Sequence, residues 1–203
     1  MIDYVATFVS FFAVIDPIGT VPVFVAITSN QDETSRAQTA RKGTLVAAGV
    51  LLFFVIAGQP LLDAMSIPLP AFQIAGGIVL FLFALSMIFG DGKPEEEIRS
   101  IDQRDEKAVY PLAVPSLASP GAMLTAVLLS DNDHFTIMEQ CQTAGVMCGV
   151  LLLAYGLMRL ATPITRLIGH SGASVVSRVM GLLLSAVAAT NALEGLKAFA
   201  NLE

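Results

Sequence analysis

The chain has 203 residues, of which 55% are hydrophobic and only 14% charged, and its mean hydropathy is +0.73. A soluble domain carries about 25% charged residues, so this composition excludes an ordinary water-soluble fold and leaves no length for a separate soluble domain. The net charge of −6 gives no support to nucleic-acid binding, which draws on a basic surface.

Six apolar stretches of near-spanning length follow one another, at about 5–28, 43–62, 71–89, 109–130, 142–160 and 176–196, each long enough for a transmembrane helix. The first lacks the basic flank and small-residue cleavage site of a secretory signal, and is expected to be retained. At its centre stands Asp16, followed at once by Pro17. A carboxylate at bilayer depth costs about 2.5–3.5 kcal/mol even on an insertion scale, so Asp16 is expected to face a polar cavity or pathway. Asp is a favoured helix N-cap and proline is favoured at the first helical position. Helix 1 is therefore expected to break at Asp16 and restart over Pro17, Ile18, Gly19 and Thr20, with Pro22 a further interruption.

The third stretch carries Gly76 and Gly77, expected to permit close helix packing. The charged run 91–107 mixes both signs and includes a proline, the composition of a solvated linker. The fourth stretch repeats the grammar of the first: Ser119 caps Pro120, Gly121 and Ala122, and Pro111 and Pro115 lie just upstream. Each such break frees carbonyls before it and amides after it, and exposed backbone at that depth is tolerated only against protein or a wet cavity. Between stretches 4 and 5, Asp131, Asp133, His134 and Glu139 crowd together without zinc-type spacing, so a solvated acidic loop is expected and no metal.

In the fifth stretch, Gly145 and Gly149 form a small-xxx-small pattern expected to pack closely. Cys141 and Cys148, seven apart, share a face without bridging. In the sixth, Asn191 needs partners and is counted as a site or contact residue. Thr20, Thr125, Ser86 and Thr190 are candidates to line a cavity, although such hydroxyls commonly bond back to their own helix.

Ten of the eleven Lys and Arg residues fall on alternate connections, at Arg36, Arg41, Lys42, Lys93, Arg99, Arg104, Lys107, Arg159, Arg166 and Arg178; Lys197 stands alone near the end. The positive-inside rule then places both termini outside the cytoplasm. Asp16-Pro17 and Ser119-Pro120 lie 103 residues apart, and Gly77 and Gly181 lie 104 apart. Three spans per copy is odd, so the second copy enters from the opposite side, giving an inverted pair of the kind recurrent in secondary transporters. The expected organisation is all-α and polytopic, with a first three-helix repeat at 1–90, a cytoplasmic linker at 91–107 and a second repeat at 108–203. Packed proline kinks are the plain alternative for either break alone; two capped breaks at equivalent positions favour a binding site.

The runs Asp16-Pro17-Ile18-Gly19-Thr20-Val21-Pro22-Val23-Phe24, Gly76-Gly77-Ile78-Val79-Leu80-Phe81 and Tyr110-Pro111-Leu112-Ala113-Val114-Pro115, continuing to Ser119-Pro120-Gly121, resemble the MarC family of six-span bacterial and archaeal membrane proteins. The resemblance covers nearly the whole chain. It implies a 3+3 inverted repeat with broken helices 1 and 4, and transport of small neutral amino acids such as glycine and alanine. Two places depart from the family pattern: the 91–107 loop is unusually acidic, and Leu193-Glu194-Gly195 stands where an Asp-Gly pair is common.

The chemistry suits a zwitterion. The neutral cap at Ser119 leaves its helix dipole intact, so a carboxylate is expected over Pro120, Gly121 and Ala122. The ammonium is then expected near Asp16 and the freed carbonyls. No basic residue lies at membrane depth, which argues against a phosphate ester. No nucleophile–base constellation, phosphate loop or nucleotide fingerprint is present, which points away from an enzyme or an ATP-driven pump and toward a protein without cofactors. The expected function is secondary transport of small neutral amino acids across the inner membrane by alternating access, with lipid as surroundings and H+ or Na+ as a possible coupling ion. A channel or exporter for another small polar solute, and a non-transporting membrane adaptor, are the alternatives.

Overall fold

The computed structural model describes residues 2–89 and 108–200; the charged linker at 91–107 lies outside the described residues. The described residues form eight helical elements: α1 (Tyr4–Ile15), α2 (Pro17–Ile27), α3 (Glu33–Ala64), α4 (Leu69–Phe89), α5 (Ala108–Leu117), α6 (Pro120–Leu128), α7 (Ile137–Arg159) and α8 (Ala161–Ala200). Among the described residues, five spans are long and apolar enough to cross a membrane, α1 with α2 forming one of them; the bent pair α5–α6 completes a sixth if counted as one. Large apolar side chains such as Phe53, Ile56, Ile78, Leu82, Leu152 and Leu182 point outward. Such a surface suits lipid, which needs no polar cover.

Local chemistry sets the boundaries. The Asp3 carboxylate accepts the Val5 and Ala6 amides, each at 3.0 Å, and starts α1. Thr136 and Glu139 cap α7 reciprocally. α5 is irregular because of its prolines: the backbone leaves helical values at Tyr110 (φ −126, ψ 126) and Val114 (φ −131, ψ 122), the residues that precede Pro111 and Pro115. A proline ring excludes the helical region for its predecessor. α3 begins at Glu33, ten residues ahead of the apolar stretch that marked it, because its first turns are polar and lie beyond the apolar core. The connection expected before residue 176 is likewise helical, as part of α8.

α4 packs along the C-terminal half of α8, and α3 against α7; α3 also holds α5 and α6, while α7 holds α1 and α2. Small residues bring the α4 and α8 backbones together. A methyl at Gly77 would meet the Ala188 carbonyl oxygen at 2.9 Å, and one at Gly181 would meet the Ala84 carbonyl oxygen at 3.0 Å. Gly77 with Ala188, and Gly181 with Ala84, are the same contact made twice at an offset of 104. Gly145 and Gly149 behave otherwise: nothing lies within 4 Å of a methyl at either. They sit on the outward face of α7, where no other helix among the described residues packs, so the close packing expected of them is corrected.

Replacement of Gly77 by valine therefore drives side-chain atoms into rigid backbone, with an expected cost of about 1–3 kcal/mol. Gly145→Ala is expected to stay within about 0.5 kcal/mol of wild type. Thermal unfolding of the two variants in detergent checks the contrast.

Candidate functional site

Both expected breaks are present, and they meet. Asp16 takes a left-handed conformation (φ 51, ψ 65), ending α1 and capping α2. Aspartate is one of the few side chains that tolerates this region. Its Oδ1 accepts the Gly19 amide at 2.9 Å. Gly19 must be glycine for this: a methyl there would fall 2.0 Å from Asp16 Oδ2. The Asp16 carbonyl accepts both the Thr20 amide (3.1 Å) and the Thr20 hydroxyl (3.0 Å).

At the second break, α5 and α6 bend by 54°, and Ser119 (φ −69, ψ 159) caps α6 by accepting the Ala122 amide at 3.1 Å. The same Ser119 hydroxyl donates to the Val14 carbonyl of α1 at 2.8 Å. In an unbroken helix that carbonyl would accept from residue 18; the break frees it and the other half of the molecule satisfies it. A second bridge joins Thr20 Oγ1 and Ser116 Oγ at 3.3 Å. Because the single Thr20 hydroxyl proton goes to the Asp16 carbonyl, Ser116 is the donor in this bridge.

Asp16, Thr20, Ser116, Ser119 and Ala122 are all 0% exposed. Pro17, Gly19 and Gly121 are also buried, Pro120 is half-buried, and Ile18 is exposed on the outer side of α2. The space beside Gly121 is filled by Leu80, whose Cδ1 would lie 2.5 Å from an added methyl. Asn191 is half-buried on α8, in the stretch whose Ala188 and Ala192 pack on Gly77; among the described residues, no hydrogen bond joins it to either break. Ser86 and Thr190 bond back to the Phe83 and Ala186 carbonyls of their own helices. Ser116 and the Val14 carbonyl escaped the sequence reading. Ser116 lies three residues before the recognised cap in a proline-rich run, and a carbonyl leaves no mark in a sequence.

A cleft opens at each end of the bundle. One, of about 520 Å³, is lined by Gln59, Asp63, Gln73, Asp131, Asp133 and His134 among others. There Gln59 accepts the Asn132 amide and donates to Asp133, and His134 pairs with Asp131, so these groups tie the α6–α7 connection to α3. Among the described residues no group of three or more His, Cys, Asp or Glu is placed to hold a metal ion. The other cleft, of about 380 Å³, is lined by Phe24, Gln31, Glu33, Arg36, Met158 and Arg159 among others, with the Arg36 guanidinium 5.8 Å over the Phe24 ring. A third, apolar hollow of about 240 Å³ lies beside Pro120, between Phe54, Phe72, Val79 and Leu124.

Apolar helices with lipid-suited outer faces around a buried polar junction define a polytopic integral membrane protein. More narrowly, the chain belongs to the MarC family: the model for the MarC family integral membrane protein matches residues 1–200. It is 32% identical over 201 residues to the UPF0056 membrane protein of Aquifex aeolicus strain VF5, covering 96% of this chain and 92% of that one. To the UPF0056 membrane protein YhcE of Escherichia coli strain K12 it is 31% identical over 201 residues, with 96% and 92% covered. An archaeal UPF0056 membrane protein, from Methanocaldococcus jannaschii, is 32% identical over 197 residues, with 96% of each chain covered. No solved structure gives a significant match.

Proposed function

We propose that the protein is a secondary transporter of small neutral amino acids, glycine- or alanine-like, working by alternating access in the plasma membrane. One observation carries this: two capped helix breaks from opposite halves of the chain meet in a sealed polar junction, with a cleft beyond it at each end of the bundle. Half-helix termini at midmembrane supply dipoles for a carboxylate and carbonyls for an ammonium without a full charge pair. Val14 offers a carbonyl and Ala122 an amide, both within hydrogen-bond reach of the single Ser119 oxygen. An acceptor and a donor so closely spaced suit the ammonium and carboxylate carried on one carbon of an α-amino acid. Asp16 lies beside them and favours the ammonium. Pro120, Gly121 and Ala122 receive the carboxylate once the junction opens.

The two halves are read as an inverted pair because their packing exchanges. Replacing α1, α2, α3 and α4 by α5, α6, α7 and α8 turns α3 on α5 into α7 on α1, α3 on α6 into α7 on α2, and α4 on α6 into α8 on α2, all of them pairs that pack. The cleft with Arg36 and Arg159 is then cytoplasmic by the positive-inside rule, and both termini lie on the far side.

Purified protein in proteoliposomes is expected to take up labelled glycine and alanine saturably, with excess unlabelled substrate competing. H+ or Na+ gradients imposed one at a time identify the coupling ion by the stimulation each gives. Flux that rises linearly with concentration would replace the transporter by a channel, and absence of flux for these and other small polar solutes would overturn the reading in favour of an adaptor.

A further inference from the structure

We infer that the two hydroxyl bridges are the two gates of the transport cycle, one closing the junction toward each end of the bundle. This assignment rests on the transporter reading and adds to it which residues open which side.

The bridges are equivalent in kind and opposite in position. Ser119 to Val14 joins α6 to α1, and Ser116 to Thr20 joins α5 to α2. Each therefore ties the half-helix before one break to the half-helix after the other break or its mirror counterpart. α6 runs on to Ser130 and Asp131, where Gln59 of α3 meets the connection that follows. α2 runs on to Phe24, over which Arg36 lies, and α5 begins at Ala108, whose carbonyl lies against Gly43 near the start of α3. The α1–α6 bridge thus faces the cleft with Gln59 and Asp131, and the α2–α5 bridge faces the cleft with Arg36. Asp16 lies between Val14 and Thr20 on the chain, so the carboxylate is enclosed between two closures in series.

The bonding suits reversible closure. Both bridges are single neutral hydroxyl bonds among fully buried groups, modest in net strength, whereas a buried salt bridge would leave two uncompensated charges each time it opened. At the α1–α6 bridge the hydroxyl also occupies the carbonyl and the amide that a zwitterion would use. A substrate that arrives from that side replaces the Ser119 bonds with its own, so opening and loading are one event.

The test uses the full-length protein in nanodiscs, where both ends meet solvent, with Cys141 and Cys148 replaced by serine. A single reporter cysteine is placed at Val127, toward the Asp131 end, or at Val23, toward the Arg36 end, both buried, and its labelling by a charged maleimide is timed. Ser119→Ala is expected to speed labelling at 127 and not at 23. Ser116→Ala is expected to speed labelling at 23 and not at 127. The loss of one neutral hydrogen bond corresponds to a change on the order of threefold to tenfold. Ser119→Thr, which restores a hydroxyl, is expected to return labelling at 127 toward wild type; a loosened fold would raise both reporters in every variant. Equal acceleration at both reporters, or none at either, overturns the gate assignment even where glycine uptake is intact. Side-specific acceleration in a protein that moves no amino acid sustains the gates and overturns the substrate reading instead.

Discussion

Gly19→Ala is expected to destabilise the protein by about 1–3 kcal/mol and abolish transport, although it adds a single methyl and alanine is the better helix former. The methyl would stand 2.0 Å from Asp16 Oδ2, so the carboxylate has to rotate away and give up its bond to the Gly19 amide. Losing this capping bond costs about 0.5–2 kcal/mol at an ordinary helix start, and toward the upper end of about 1–3 kcal/mol where, as here, the amide is left buried and unpaired. The cause is testable by a double-mutant cycle. With Asp16 replaced by glycine the obstacle is gone, and Gly19→Ala is expected to become nearly neutral; a cost that persists in that background would place the clash elsewhere. Gly121→Ala is expected to be milder, because its neighbour is the far end of the flexible Leu80 side chain. Thermal unfolding in detergent reads all of these.

Asp16 itself separates folding from function. Asp16→Ala removes the cap and leaves the left-handed conformation at φ 51 without the short polar side chain that makes it tolerable, a combined cost of about 2–3 kcal/mol. Asp16→Gly relieves the backbone while leaving the Gly19 amide without its partner, and is expected to cost less than Asp16→Ala. Asp16→Asn keeps both the cap and the tolerated conformation, and is expected to unfold close to wild type. If the carboxylate holds the substrate ammonium, that stable asparagine variant loses uptake of glycine and alanine. Undiminished uptake by Asp16→Asn would reduce Asp16 to a structural cap and remove it from the binding site.

The sites at which the chain breaks were legible because they are written in local chemistry. Asp16-Pro17 and Ser119-Pro120 each pair a capping side chain with a residue that cannot continue the preceding helix, and no distant contact is needed to make that decisive. Spans were legible for the same reason, apolarity over a bilayer's thickness being a local property. What resisted reading depends on partners. The polar turns at the start of α3 carry no hydrophobic signal, although they are helical from Glu33. Nothing in the residues around Gly121 tells that the space beside it is taken by Leu80 from another helix. Gly77 and Gly145 look alike in sequence, but among the described residues Gly77 meets Ala188 and Ala192 of α8 while Gly145 meets nothing. Ser116 gains its role solely from the fold, which sets Thr20 beside it.

The seam between α4 and α8 decides where the molecule can move. A joint made of main chain against main chain has no rotamers to reset: a slip of a fraction of a residue drives Gly77 and Gly181 into opposing peptide units, and a slip of a whole turn requires the helices to part. α4 and α8 thus act as a rigid strut. In the proposed cycle motion falls to the joints with α3, where α5 and α6 seat Leu112 and Val127 against Gly43 and Gly58. Those knobs are side chains, and side chains can be lifted out and set down again.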